Sequence, residues 1–208
     1  LAFGHGTTNA RDEAAYLALH ALGLPLDSGP ALLARPVSPR AARRVLDLFE
    51  RRIRSRKPAS YLTGEAWLGE FRFRTDQRVI VPRSHIAPLL VNRLAPWISR
   101  STDVKSALDL CTGSGCLAIL LAHAFPRAKI TASDISRPAL ALARCNVRDY
   151  GMGRRIRIVQ SDLFAGKPLK RYDLIVCNPP YVTALSMRRL PREYRHEPRL
   201  ALAGGRDG

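Results

Sequence analysis

The sequence predicts an α/β fold, a doubly wound parallel sheet preceded by a small helical unit. Two patterns carry the sheet. Short apolar runs end in polar residues near Asp109, Asp134 and Asn178, and the first of them turns through Thr112-Gly113-Ser114-Gly115 into an apolar helix. A third pattern carries the helical unit: apolar residues recur at helical spacing in the first 57 residues, and strand-like character begins only after Pro58.

Asp12 to Leu22 places Ala15, Leu19 and Leu22 on one helical face, with Asp12 and Glu13 in the first turn, where the helix dipole favours acids. Gly23 and Pro25 stop it. Ser38-Pro39 opens a second helix, with serine as N-cap and proline at the first position. Its apolar stripe is Ala42, Val45, Leu46, Phe49 and Ile53. The opposite face carries Arg43, Arg44, Glu50, Arg51 and Arg54, a solvated surface or a docking face for a substrate. Trp67, Phe71 and Phe73 then read as one strand and Val79 to Pro82 as the next, a hairpin turning at Thr75 to Arg78. The expected organisation is a helical substrate-recognition domain over 1–57, a hairpin linker over 58–83 and a catalytic domain over 84–208.

Ala107 to Cys111 reads as a buried strand and Cys116 to Ala122 as the helix after it. Gly113 and Gly115 let the backbone turn tightly and approach a ligand without a Cβ. Asp134 ends the next apolar run about 20 residues further on, where an acid accepts from ribose hydroxyls. The loop also fits the relaxed dinucleotide fingerprint, so by itself it separates no nicotinamide from S-adenosylmethionine. Tyr172 to Cys177 reads as a further strand, and Asn178-Pro179-Pro180-Tyr181 follows it. The prolines fix the backbone and lack N–H groups, leaving the Asn178 amide oxygen beside free carbonyls, with Tyr181 as a flat wall. Such acceptors suit a planar NH2 group. The plainer reading is a turn after a strand.

A chain of 208 residues supports one good core and a small second unit. No apolar run approaches the ~18 residues that span a bilayer, so no membrane partner is expected. Cys111, Cys116, Cys145 and Cys177 lie in or beside apolar segments without C-x-x-C spacing, which predicts reduced thiols of a cytoplasmic protein and no metal site. The net charge of +17 suits proximity to a polyanion such as ribosomal RNA, although an arginine-rich composition alone produces the same excess.

Asp109-Leu-Cys-Thr-Gly-Ser-Gly115 together with Asn178-Pro-Pro-Tyr181 resembles the class I S-adenosylmethionine methyltransferases that methylate a glutamine side-chain amide, the HemK and PrmB group. Phe3 to Glu13, Tyr61 to Trp67 and Leu190 to Pro198 are similar to the PrmB branch, which modifies large-subunit ribosomal protein L3. The resemblance implies a Rossmann-like sheet with S-adenosylmethionine as cofactor and protein L3 as partner. It also implies that the family's chain extends past both ends of this one, with about three further strands completing a seven-stranded sheet. Pro88 stands where the family usually has an acidic residue, and Leu163 where glutamine-methylating relatives often have tryptophan.

The resemblance assigns the cofactor site to Asp109, Cys111, Thr112, Gly113, Ser114, Gly115, Asp134, Ile135, Asp162, Leu163 and Asn178. The 111–115 backbone cradles the amino acid moiety, Asp134 takes the ribose, Ile135 packs on the adenine, and Asp162 accepts from the adenine amino group. Asp162 reads otherwise as a cap or turn residue. Transfer itself is assigned to Asn178, Pro179, Pro180 and Tyr181. A carboxamide nitrogen is a poor nucleophile, and the Asn178 Oδ1 and Pro179 carbonyl acceptors would orient it while it gains sp³ character. No strong base is required first, because the N–H acidifies only after methylation. Two other readings use the same residues: a nucleic-acid methyltransferase acting on adenine N6 or guanine N2, with Tyr181 stacked on a flipped base, and a non-catalytic binding protein.

Overall fold

The computed structural model describes residues 1–165 and 171–208. The helical unit comprises α1 (Ala10–Leu22), the short α2 (Pro30–Leu33), α3 (Pro39–Ser55) and α4 (Ala59–Thr63). Asn9 caps α1, its Oδ1 accepting from Asp12 N at 2.9 Å, and Gly23 closes the helix in the left-handed conformation. Ser38 and Pro39 open α3 as expected. Leu17, Leu48 and Ala59 form the small core between these helices.

The inward face of α3 differs from the expected stripe. Leu46 and Ile53 are 58% and 59% exposed, while Leu48 and Arg52 are buried. The reason is ionic. The Arg52 guanidinium donates to Glu13 Oε1 at 2.8 Å and to Ala2 O at 3.1 Å, which rotates that face of the helix toward α1.

The hairpin also turns elsewhere than expected. β1 (Glu65–Leu68) pairs antiparallel with β2 (Phe71–Arg74) around Gly69-Glu70. Gly69 has φ of 61°, the conformation that a two-residue hairpin loop demands of its first residue. Val79 and Val81 are buried but join no ladder, because Val81 N donates to the Glu197 carboxylate at 2.9 Å and Val79 O accepts from Tyr61 Oη.

After α5 (Ile86–Val91), which carries Pro88, the strands β3 (Ser106–Leu110), β4 (Lys129–Asp134), β5 (Ile156–Gln160) and β6 (Leu174–Cys177) form one sheet in the order β5-β4-β3-β6, all parallel. Of these, β5 has no counterpart in the sequence reading. α6 (Cys116–Ala124) and α7 (Arg137–Asp149) supply the crossovers. Every residue of α6 except His123 is buried, and Phe125 just beyond it is fully buried. Side chains of this size each contribute about 1.5–3 kcal/mol on burial. Past β6 the chain forms β7 (Val182–Thr183), α8 (Ala184–Arg189), two short 3₁₀ turns over Arg192–His196 and Arg199–Ala201, and β8 (Ala203–Gly205), which pairs parallel with β7. No helix among the described residues is long and apolar enough to cross a membrane.

Two carboxylates in the 3₁₀ segment fasten it to the rest of the molecule. Glu193 accepts from Ala2 N at 3.0 Å and Arg56 Nε at 2.7 Å, with Arg52 Nη1 at 3.5 Å. Glu197 takes both Arg83 Nη groups at 2.6 Å. Burial alone would raise the Glu197 carboxyl, but the Arg83 hydrogen bonds, the nearby His5 ring and the Val81 N–H outweigh it and hold the group down at about 2. A depressed carboxyl contributes stability above its unfolded value near 4.5 and loses it as pH falls through the folded value. We therefore expect the unfolding free energy to fall between these limits. Glu197→Gln should flatten that decline and cost about 3–5 kcal/mol at neutral pH, because it leaves Arg83 without its charge partner. Urea titrations of both proteins across that range check this.

Candidate active site

The chain leaves β3 toward β4 and β5 on one side of the sheet and returns as β6 on the other. That reversal opens a crevice at the carboxyl ends of β3 and β6. Register sets what faces the crevice. Leu110 pairs with both Ser133 and Cys177, so the glycine loop, Asp134 and Asn178 all begin at one height. Three residues of the loop have left-handed φ: Cys111 at 60°, Gly113 at 55° and Gly115 at 80°. Gly115 is doubly required, since a Cβ there would lie 3.2 Å from Ala143 Cβ in α7. A Cβ at Gly113 would meet nothing within 4 Å, so the loop backbone there is open to a ligand.

A cavity of about 370 Å³ occupies the crevice. Of the residues predicted for the site, Cys111, Thr112, Gly113, Ser114, Asp134, Ile135, Asp162, Leu163, Asn178, Pro179 and Pro180 line it. Three do not. Gly115 sits behind the loop as the N-cap of α6. Asp109 is completely buried beneath it. Tyr181 lies outside the lining residues and is 65% exposed. Val79, Pro82, Arg83, Ala203 and Gly204 also line the cavity. The sequence reading missed them as site residues. The resemblance at Leu190 to Pro198 was the available pointer to Arg83, because Glu197 holds that side chain at the wall.

Acidic groups organise the loop. Asp134 Oδ2 accepts from Gly113 N and its Oδ1 from Ser136 N, each at 2.9 Å. Asp109 accepts from the Thr112 hydroxyl. Burial pushes the Asp109 carboxyl up to about 7, against the pull of the Thr112 hydroxyl and Ala118 N–H, and the Asp134 charge adds to the rise. Burial likewise pushes the Cys111 thiol up to about 12, helped by Cys177 and Asp134, which disfavours the thiolate. Ile135 and Leu163 are 45% and 51% exposed, leaving apolar surface at the cavity edge. Among the described residues no hydrogen bond engages the Asn178 side chain.

The family model for the methyltransferase small domain matches residues 87–190. The ribosomal protein uL3 glutamine methyltransferase of Bordetella pertussis is 57% identical over 208 residues, covering 100% of this chain and 70% of that one. Its namesakes from Neisseria meningitidis serogroup A and Burkholderia pseudomallei are 55% and 53% identical, with 100% of this chain covered and 68% and 70% of theirs. The chain belongs to the uL3 glutamine methyltransferase family. Family membership accords with the α/β sheet and the cavity at its reversal point, and does not favour the nucleic-acid reading.

The raised Asp109 carboxyl has a consequence for stability. A group whose folded pKa lies above its unfolded one contributes stability below the unfolded value near 3.8 and loses it as pH rises through about 7. Thermal melts should therefore show the wild-type midpoint declining between about pH 4 and 7. Asp109→Asn, which cannot ionise, should lack that decline.

Proposed function

We propose that this chain transfers a methyl group from S-adenosylmethionine to the side-chain amide nitrogen, N5, of a glutamine in ribosomal protein uL3. The observation that carries the reading is the shared height of the glycine loop and Asn178-Pro179-Pro180 on two walls of one cavity. The residues present fit the cofactor. The loop backbone is open at Gly113, a carboxylate stands at Asp134, and apolar surface is available at Ile135 and Leu163. When bound, S-adenosylmethionine supplies an electrophilic methyl group.

The chain's own residues hold and orient the reactants. Thr112 to Ser114 receive the amino acid end of the cofactor, with Cys111 and Gly115 shaping the turn. Asp134 takes the ribose hydroxyls while it braces the loop through Gly113 N. Ile135 would pack on the adenine, Leu163 would close over its edge, and Asp162 would accept from its amino group. Asp109 acts beneath the loop, holding Thr112. On the facing wall, Asn178 Oδ1 and the Pro179 carbonyl each accept one N–H of the glutamine amide. This aims the nitrogen lone pair into the cavity and offsets the positive charge that grows on nitrogen during transfer. Pro180 keeps this array stiff, and the exposed Tyr181 ring covers the amide from the solvent side. The extra proton leaves the nitrogen after transfer, when it has become acidic.

The 1–57 unit serves in this reading as the substrate-recognition domain, 58–83 as the linker and 84–208 as the methyltransferase domain. The uL3 name of the relatives supplies the partner. The charge of +17 favours work close to ribosomal RNA in the cytoplasm. Asn178→Ala tests the assignment. The kcat for uL3 should fall at least about 100-fold, the effect of losing one aimed polar group, while the cofactor Kd stays within about two-fold. Undiminished turnover in that variant would refute the role of Asn178.

A further inference from the structure

We propose that Gly204 is a positioning residue for methyl transfer, setting the depth at which the Pro180-Tyr181 backbone stands against the cavity. The claim rests on the assignment of Asn178 to Tyr181 as the amide-binding array.

Gly204 lies in β8, beside β7, and its own backbone borders the cavity. A Cβ at this position would stand 2.9 Å from Pro180 O, 2.9 Å from Tyr181 Cα and 2.8 Å from Gly208 C. All three are backbone atoms, so no side chain can swing aside to make room. Its φ lies outside the left-handed region, so a larger residue is excluded by contact and not by conformation. Gly205 shows the opposite case, with φ of 103° and open space around it.

The contact matters because of what it touches. Pro180 and Tyr181 directly follow the two acceptors that hold the substrate amide, and proline rigidity transmits a displacement along that stretch. The other side of the pair is fixed by Val182 N donating to Leu202 O at 2.8 Å. The backbone is thus held between this hydrogen bond and a position that admits no side chain. The cofactor loop, by contrast, is built from β3, β4 and the Asp134 carboxylate and, among the described residues, shares no hydrogen bond with β8. A methyl group added at Gly204 therefore misaligns the amide and leaves the cofactor cradle in place.

Gly204→Ala in the full chain, with Gly153→Ala as a turn control that has room for a Cβ, tests this. Measured with uL3 as methyl acceptor, Gly204→Ala should lower kcat about 100-fold, the scale of an ångström-level misplacement. The KM for uL3 and the cofactor Kd should remain within two-fold of wild type, and Gly153→Ala should match wild type throughout. Hydrogen exchange at the Val182 amide should speed up in Gly204→Ala. A kcat within two-fold of wild type overturns the proposal, as does a loss that appears equally in cofactor binding. If the wild-type chain methylates no uL3, the substrate assignment has failed. Val182 exchange then decides separately, with faster exchange sustaining the steric role of Gly204 and unchanged exchange rejecting it.

Discussion

The parallel pairing of β3 with β6 is the constraint on which the site depends. A shift of one residue in that pairing would turn each strand's side chains to the other face and lift Asn178 away from the glycine loop. The pairing is enforced from both sides. Ala107 and Leu108 on β3 and Val176 on β6 are buried in the sheet, and Asp173 locks the strand starts by accepting from Lys105 N and Ser106 N, each at 2.9 Å. With register fixed, the chemistry-bearing ends follow without further choice.

A second layer of constraint is ionic. The segment after α8 carries its arginines outward and its two glutamates inward, so that Glu193 reaches the helical unit and Glu197 the wall of the cavity. Buried carboxylates of this kind are costly to desolvate, and here the Arg52, Arg56 and Arg83 guanidinium groups offset that cost. They join pieces of chain more than a hundred residues apart and tie the expected substrate-recognition unit to the edge of the site. Tyr194 adds to this junction, tilted against His5 and lying under the Arg83 guanidinium at 5.2 Å.

The strand ends, the glycine loop and the N-cap of α3 were legible because each is a local signal, an apolar run, a turn residue or a cap, and eleven of the fourteen residues that the resemblance nominated line the cavity. What was illegible depends on distant partners. Arg52 is absent from the expected apolar stripe, yet Glu13 and Glu193 draw it inward, and the stripe on α3 is displaced for that reason. Val79 to Val81 has strand composition, yet Glu197 claims its backbone donor and no ladder forms. The necessity of Gly204 exists only in the contact with Pro180 and Tyr181, which sequence spacing cannot express. Tyr181 kept its place in the motif but is 65% exposed and lies outside the residues that line the cavity.

The central claim is that the acceptor array serves a glutamine amide. The most direct measurement is fragment mass spectrometry of uL3 after incubation with this chain and S-adenosylmethionine bearing an isotopic methyl label. The account predicts the label on the side-chain nitrogen of one glutamine. Label recovered in nuclease-sensitive material, or on another side chain of uL3, would contradict it.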